Sequence, residues 1–232
     1  MSHAEQQDFV KSLKNKFPDF FSNKKVIEIG SLDINGTIRE HFENCEYVGV
    51  DVDEGPNVDL VCEGQNVDHP DNTYDVSGSC NCFEHNPHWV ETFRNMWRMT
   101  KVGGLVFVSV PTTGCPEHGT HANKPQDSPL TIKKGWDYYK NLTEQDYRDN
   151  FNIEDMLPPN TYPSHASADY EADDYVNTDI EVVLELLGRG PCNLADTGDA
   201  VIVLVFQRIT PAADHADIFV FGERERFVGR ED

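Results

Sequence analysis

Glu28, Gly30, Ser31, Gly36 and Asp51 are the residues of this chain best placed, by type and spacing, to do chemistry. They lie in KVIEIGSLDINGTIREHFENCEYVGVDVD, residues 25–53, where one apolar run delivers Glu28 and Gly30 into a loop holding a second glycine, Gly36, and another apolar run ends at Asp51. Read as elements, this is a strand, a ligand loop, a short helix and a second strand tipped by a carboxylate. In a parallel α/β sheet, ligands bind outside the carboxyl ends of the strands. Glycines there let a ligand approach the backbone, and an acidic tip can take both ribose hydroxyls. The pattern points to a nucleoside cofactor. Glu28 has a plainer alternative as a strand-end charge satisfied by loop amides, and Asp51 as the cap of a turn.

Spacing narrows the cofactor. A dinucleotide fingerprint needs G-x-G-x-x-G so that a pyrophosphate rests on a helix N-terminus, but SLDIN separates Gly30 from Gly36 without a glycine. No glycine followed by Lys and Ser or Thr supplies a P-loop. A phosphate-free adenosyl cofactor fits better than NAD, which leaves a nicotinamide or nucleotide-sugar oxidoreductase as a weaker rival. With EIGSLDING at 28–36 and YVGVD at 47–51, the chain resembles the class I S-adenosylmethionine-dependent methyltransferases, well over residues 24–120 and weakly beyond.

The resemblance implies S-adenosylmethionine as cofactor and a Rossmann-like α/β fold. That fold is a mostly parallel seven-stranded sheet with helices on both faces and an antiparallel C-terminal hairpin. Gly30, Ser31 and Gly36 would line the methionine half, where a side chain at either glycine would obstruct the cofactor. Glu28 would face its cationic end, and Asp51, with Val52 beside it, would clamp the ribose. Glu63 and Gly64, with Gln65, fall where the family holds the adenine edge, although CEGQN departs from the commoner aspartate pattern. Asn81 and Cys82, with Phe83, fall in the loop that passes under the cofactor, where a small polar SCNC run replaces the usual apolar residues.

Methyl transfer from a sulfonium is an in-line displacement driven by the cofactor, so few dedicated catalytic groups are expected. The candidates are His85, in a Glu-His pair that recurs after the fourth strand of the resembled family, and His118, in the CPEHG loop after the fifth. Either histidine could take a proton from an acceptor hydroxyl or amine. For Glu84 and His85 the alternative is a cap on the helix that follows Asn86. Trp136, Tyr138 and Tyr139 could complete the acceptor wall, or be core. Cys115, His118 and His121 have metal-like spacing, but a structural zinc site needs four ligands and no fourth is evident, so no metal is expected. A catalytically inactive methyltransferase-like scaffold remains the alternative to an enzyme.

These residues need elements to position them. Phe9, Val10, Leu13 and Phe17 predict a leading helix over 5–17, ended by Pro18. Strands are predicted over 25–30, 46–51 and 58–61, then one through NTYDVS, with a short helix over 37–44 before the second. A helix follows Asn86 and Pro87 and is closed by Gly103 and Gly104, and LVFVSV is a fifth strand. This alternation predicts a right-handed, mostly parallel sheet. Residues 111–135 read as loop and LTEQDYRDNF as helix. The stretch 155–178 reads as an irregular excursion, so 111–178 would be acceptor-side loops and insertion within a single domain over 1–232. IEVVLELL (180–187) is helix or strand, and 200–208 with 217–224 read as the closing hairpin.

Composition excludes other classes. The chain has 232 residues, 38% hydrophobic, enough for one α/β core. Its 19 basic against 41 acidic residues, a formal net charge of −22, repel phosphate backbones and anionic lipid, so no nucleic-acid partner is expected. The basic pairs, Lys133 with Lys134 among them, read as solvated helix ends. The region after strand four lacks the [D/N]PP[Y/F] tetrad and the Pro-Cys nucleophile of DNA-modifying enzymes, leaving small-molecule, glycan or protein acceptors. No run of about 18 apolar residues and no leader-like start occur, so a cytoplasmic protein with no membrane partner and reduced thiols is expected.

Overall fold

The computed structural model describes residues 4–151 and 201–207. Six strands form one sheet: β1 (Lys25–Ile29), β2 (Glu46–Asp51), β3 (Leu60–Val61), β4 (Tyr74–Cys80), β5 (Thr100–Pro111) and β6 (Val201–Gln207), in the spatial order β3-β2-β1-β4-β5-β6. The first five are parallel and β6 runs antiparallel to β5. This is the expected Rossmann-like α/β fold. The 217–224 strand that would complete seven strands and the hairpin lies outside the described residues, as do 155–178 and 180–187.

Period-two alternation gives the sheet two buried faces. Val26 and Tyr47, with Leu105 and Phe107 of β5, face Phe9, Val10 and Leu13 of the leading helix α1 (Ala4–Lys16). Ile27, Ile29, Val106, Val108 and Val110 face the other way, onto α2 (Trp89–Met99). There Phe93, Met96 and Met99 meet Tyr147 and Phe151 at the end of α4 (Glu144–Asn150). The α4 start is a capping box, with Thr143 and Asp146 exchanging side-chain and backbone hydrogen bonds.

Three local expectations change. The helix over 37–44 is one 3₁₀ turn, Ile38–His41, because the chain returns to extended backbone at Phe42 and turns left-handed at Asn44. Gly103 and Gly104 do not close α2, which stops at Met99. They form an irregularity inside β5, where pairing jumps from Tyr74↔Thr100 to Val76↔Leu105. Gly103 has φ +82°, and a Cβ on Gly104 would lie 2.8 Å from the Asp75 carbonyl oxygen. The loop over 111–135 also contains a short helix, α3 (Pro129–Lys134), with Pro129 in its first turn.

Candidate functional site

The strand order reverses beside β1, so the loops after β1 and β4 diverge to opposite faces and leave a crevice at their carboxyl ends. Glu28, on β1, is only 3% exposed. The Tyr47 hydroxyl donates to its Oε2 at 2.8 Å, and the Asn57 amide approaches the same oxygen at 3.5 Å. Burial pushes the Glu28 carboxyl up to about 7, with the Tyr47 hydrogen bond pulling the other way. Its hydrogen bonds come from these two side chains and not from backbone amides of the loop.

The loop after β1 is held from several sides. Gly30 and Ser31 N–H groups donate to the Val50 carbonyl at 2.9 and 3.1 Å. Asn57, in left-handed backbone, donates to the Ser31 carbonyl at 3.0 Å and the Thr37 hydroxyl at 2.9 Å, while the Ser31 hydroxyl donates to the Asn57 carbonyl at 3.1 Å. Asn57 was not singled out from the sequence, although EGPN is a turn signal. Gly36 N donates to Asp33 Oδ1 at 2.8 Å. Gly30 has φ +83°, and a Cβ there would lie 2.4 Å from the Cys82 Cβ. The glycine is required by its backbone and by the approach of the loop after β4; Cys82, not a ligand, occupies the space a side chain would need.

At the tip of β2, the Asp51 carboxylate accepts from Leu32 N at 3.0 Å and from Val52 N at 2.8 Å. Burial raises its pKa and those two amides lower it. Asp51 therefore ties the β1 loop to β2, and each oxygen has a second lone pair for another donor. Glu63 faces the same rim, accepting from Gln65 at 2.8 Å and Asn66 at 3.2 Å and pairing with Lys134 at 2.7 Å. Lys133 pairs with Asp53. The two lysines expected as solvated ends therefore fasten α3 across the loops after β2 and β3. Gly64 is buried beside Glu63. It packs under α2, where a Cβ would lie 2.6 Å from Thr92 Cγ2, and its carbonyl accepts from Asn95 at 2.9 Å.

After β4, Asn81 is buried in left-handed backbone, and its Oδ1 has no hydrogen-bond partner among the described residues. Glu84 and His85 follow, 0% and 2% exposed. They do not cap α2, whose N-cap is His88 with no side-chain cap; Asn86 Oδ1 accepts from His88 N at 2.8 Å in the turn that leads into the helix. Burial raises the Glu84 carboxyl to about 8 and lowers the His85 imidazole to about 3, with the His118 ring adding to the latter and the Tyr138 backbone opposing it. The loop after β5 brings His118 to a 5.1 Å ring separation from His85, and Tyr139 stands 5.6 Å from His85 and 4.8 Å from His118. Both candidate histidines thus share one wall with Tyr139.

Cys115, His118 and His121, whose spacing is metal-like but from which no metal site is expected, turn to different partners. Cys115 is disulfide-bonded, against the expectation of reduced thiols, whereas no disulfide involves Cys45, Cys62, Cys80 or Cys82. His121 lies 3.2 Å from Asp137. Spacing along a chain does not report which groups meet in space.

An α/β sheet with a glycine loop, a buried carboxylate and an acidic strand tip at its switch point defines a nucleoside-cofactor class of protein. The family model for a methyltransferase domain matches residues 1–166, and the chain belongs to that family. Among solved structures, it superposes on the 1,6-didemethyltoxoflavin-N1-methyltransferase of Burkholderia thailandensis, crystallised with bound 1,6-didemethyltoxoflavin and S-adenosylhomocysteine. That match has a TM-score of 0.54 at 13% identity, over 89% of this chain and 79% of that one. A candidate methyltransferase of Bacillus halodurans matches at TM-score 0.42 and 13% identity, over 62% of each chain, so this chain spans less than two thirds of its length. The phosphoethanolamine N-methyltransferase 2 of Haemonchus contortus, in complex with S-adenosyl-L-methionine, matches at TM-score 0.43 and 17% identity, over 61% of this chain and 35% of that one. At these identities the likeness is one of fold. No curated protein matches the chain. No helix among the described residues is long and apolar enough to cross a membrane.

Proposed function

We propose that the chain binds S-adenosylmethionine in the crevice at the ends of β1, β2 and β4 and transfers its methyl group to a small-molecule, sugar or protein acceptor. The observation that carries this reading is the buried Glu28 carboxylate beside the left-handed Gly30 turn, with Asp51 at the neighbouring strand tip. The donor set fits such a cofactor: a carboxylate for its cationic end, a second carboxylate with spare lone pairs for ribose hydroxyls, and an unpartnered Asn81 Oδ1 under the loop. S-adenosylmethionine supplies an activated methyl on a sulfonium.

The chain's own residues then hold and orient. Glu28 offsets positive charge, Gly30 and Ser31 form the floor, and Asp51 fixes one edge through hydrogen bonds. The outer edge is closed by α3 through Lys133 and Lys134, which excludes water from a reaction that gains most from positioning. The wall of His85, His118 and Tyr139 supports an acceptor entering from the β4–β5 side.

Calorimetric titration with S-adenosylmethionine and, separately, with NAD tests the reading. Micromolar binding of the first and none of the second is expected. Asp51→Ala should weaken binding by about 1 to 3 kcal/mol, the scale of a lost hydrogen bond to a charged group. No binding by the folded wild-type chain overturns the proposal; binding without turnover against an acceptor panel would leave a ligand-binding scaffold.

A further inference from the structure

We propose that Glu84, His85 and His118 form a binding site for one divalent transition-metal ion, on the acceptor side of the crevice. One ligand atom from each lies within 4.8 Å of the other two, though they come from loops after two different strands. Neither carboxylate oxygen of Glu84 and neither ring nitrogen of His85 makes a hydrogen bond of normal geometry among the described residues, with only the Glu84 amide and the Tyr138 backbone set against them, and both side chains are essentially inaccessible to solvent. Groups of this kind buried with so little hydrogen bonding are costly, and a cation answers all of them at once.

The third ligand is already oriented. His118 Nδ1 lies 3.0 Å from the Pro116 carbonyl oxygen. A carbonyl can only accept, so Nδ1 is the donor in this contact and Nε2 is the nitrogen left to face an ion, the arrangement that metal-bound imidazoles show. His85 is backed by Gly119, where a Cβ would fall 2.5 Å from its Cε1; that glycine lets the CPEHG loop close onto the imidazole. The separations are near those of a loaded site. Glu84 Oε1 and His85 Nε2 are 3.8 Å apart, and a tetrahedral ion with bonds of about 2.1 Å sets its ligands about 3.4 Å apart.

Two imidazoles and one carboxylate favour Zn²⁺, Fe²⁺, Mn²⁺ or Co²⁺ over Mg²⁺ and Ca²⁺, which take oxygen ligands. Three protein ligands leave coordination positions open, the mark of a reactive rather than a structural centre. The open positions would take water or an oxygen of the acceptor, because the trio adjoins the His118–Tyr139 wall and Cys82 joins it to the Gly30 loop. The inference goes beyond the methyl-transfer reading and does not rest on it.

The test uses the full chain, stripped with a chelator and titrated with Zn²⁺ alone by calorimetry, with bound metal counted by mass spectrometry and Co²⁺ substitution read by visible absorption. One equivalent per chain is expected. His118→Ala should lower affinity at least tenfold and abolish the Co²⁺ band, while His121→Ala, outside the trio, should leave both unchanged. Glu84→Gln should also lose binding, but it lies in the interior; the partly exposed His118 gives a variant whose fold can be verified by circular dichroism. No stoichiometric uptake by the wild type overturns the proposal, as does uptake that survives His118→Ala or falls equally in His121→Ala. Because metal alone is the titrant, a failure to bind S-adenosylmethionine overturns the methyl-transfer reading and leaves this result standing.

Discussion

Glu28 places an ionisable group where a sheet interior ordinarily excludes one, and its ionisation carries a measurable cost. The folded-state pKa of about 7 lies above the ordinary 4.5 because burial disfavours the charged form more than the Tyr47 hydroxyl favours it. Between those values the native chain holds more protons than the unfolded chain, so this group's contribution to stability falls as pH rises through the window and stays low above it. Relative to Glu28→Gln, the wild type should lose on the order of 3 kcal/mol between pH 4.5 and pH 8, at about 1.4 kcal/mol per pKa unit. Urea midpoints of the two proteins across that range measure the difference. A gap that does not change with pH would show that Glu28 is solvated. A cation beside the carboxylate, as the proposed cofactor would supply, recovers that cost.

At the scale of elements, α3 depends on its neighbours. A six-residue helix is too short to hold itself together in water, and this one is fastened by Lys133 to Asp53 and by Lys134 to Glu63. All four side chains are at least partly exposed, so salt screens both pairs and little global stability rests on them. Raising NaCl from about 0.05 to 0.5 M, or making Lys133→Ala with Lys134→Ala, should therefore speed amide exchange over 130–134 without lowering the protection of β1 and β4. Exchange that responds equally in the helix and in the sheet would mean that the helix belongs to the core and not to a salt-sensitive closure.

For the whole molecule, salt should act with the opposite sign. A formal charge of −22 on 232 residues is a self-repulsion that the compact state bears more heavily than the unfolded chain. The thermal midpoint should therefore rise with NaCl between about 0.02 and 0.5 M as that field is screened. A midpoint that is flat or falls would place the acidic groups in stabilising pairs rather than in a repulsive shell. The contrast between a loosened α3 and a more stable sheet at high salt separates the latch from the scaffold. The scaffold rests on two apolar faces, with Phe9 and Phe107 packed 6.1 Å apart on one side and Phe93 and Phe151 packed 4.7 Å apart on the other.

The sequence by itself determined the succession of β1 to β5 along the chain and their parallel direction, the loop at Gly30 and the carboxylate at the end of β2. Each of these follows from period-two apolar runs, glycines and turn residues acting over a few positions. Tertiary structure alone decided what those residues touch. Cys82 packs against Gly30, Gly64 turns under α2, and Lys133 and Lys134 reach across to Asp53 and Glu63. His118 leaves its sequence neighbours Cys115 and His121 for Glu84 and His85. The last case shows the physical reason: metal-like spacing is a local property, but a ligand set is made where loops from different strands return to one end of the sheet. Where they return is set by the packing of both faces, and no window of sequence contains it.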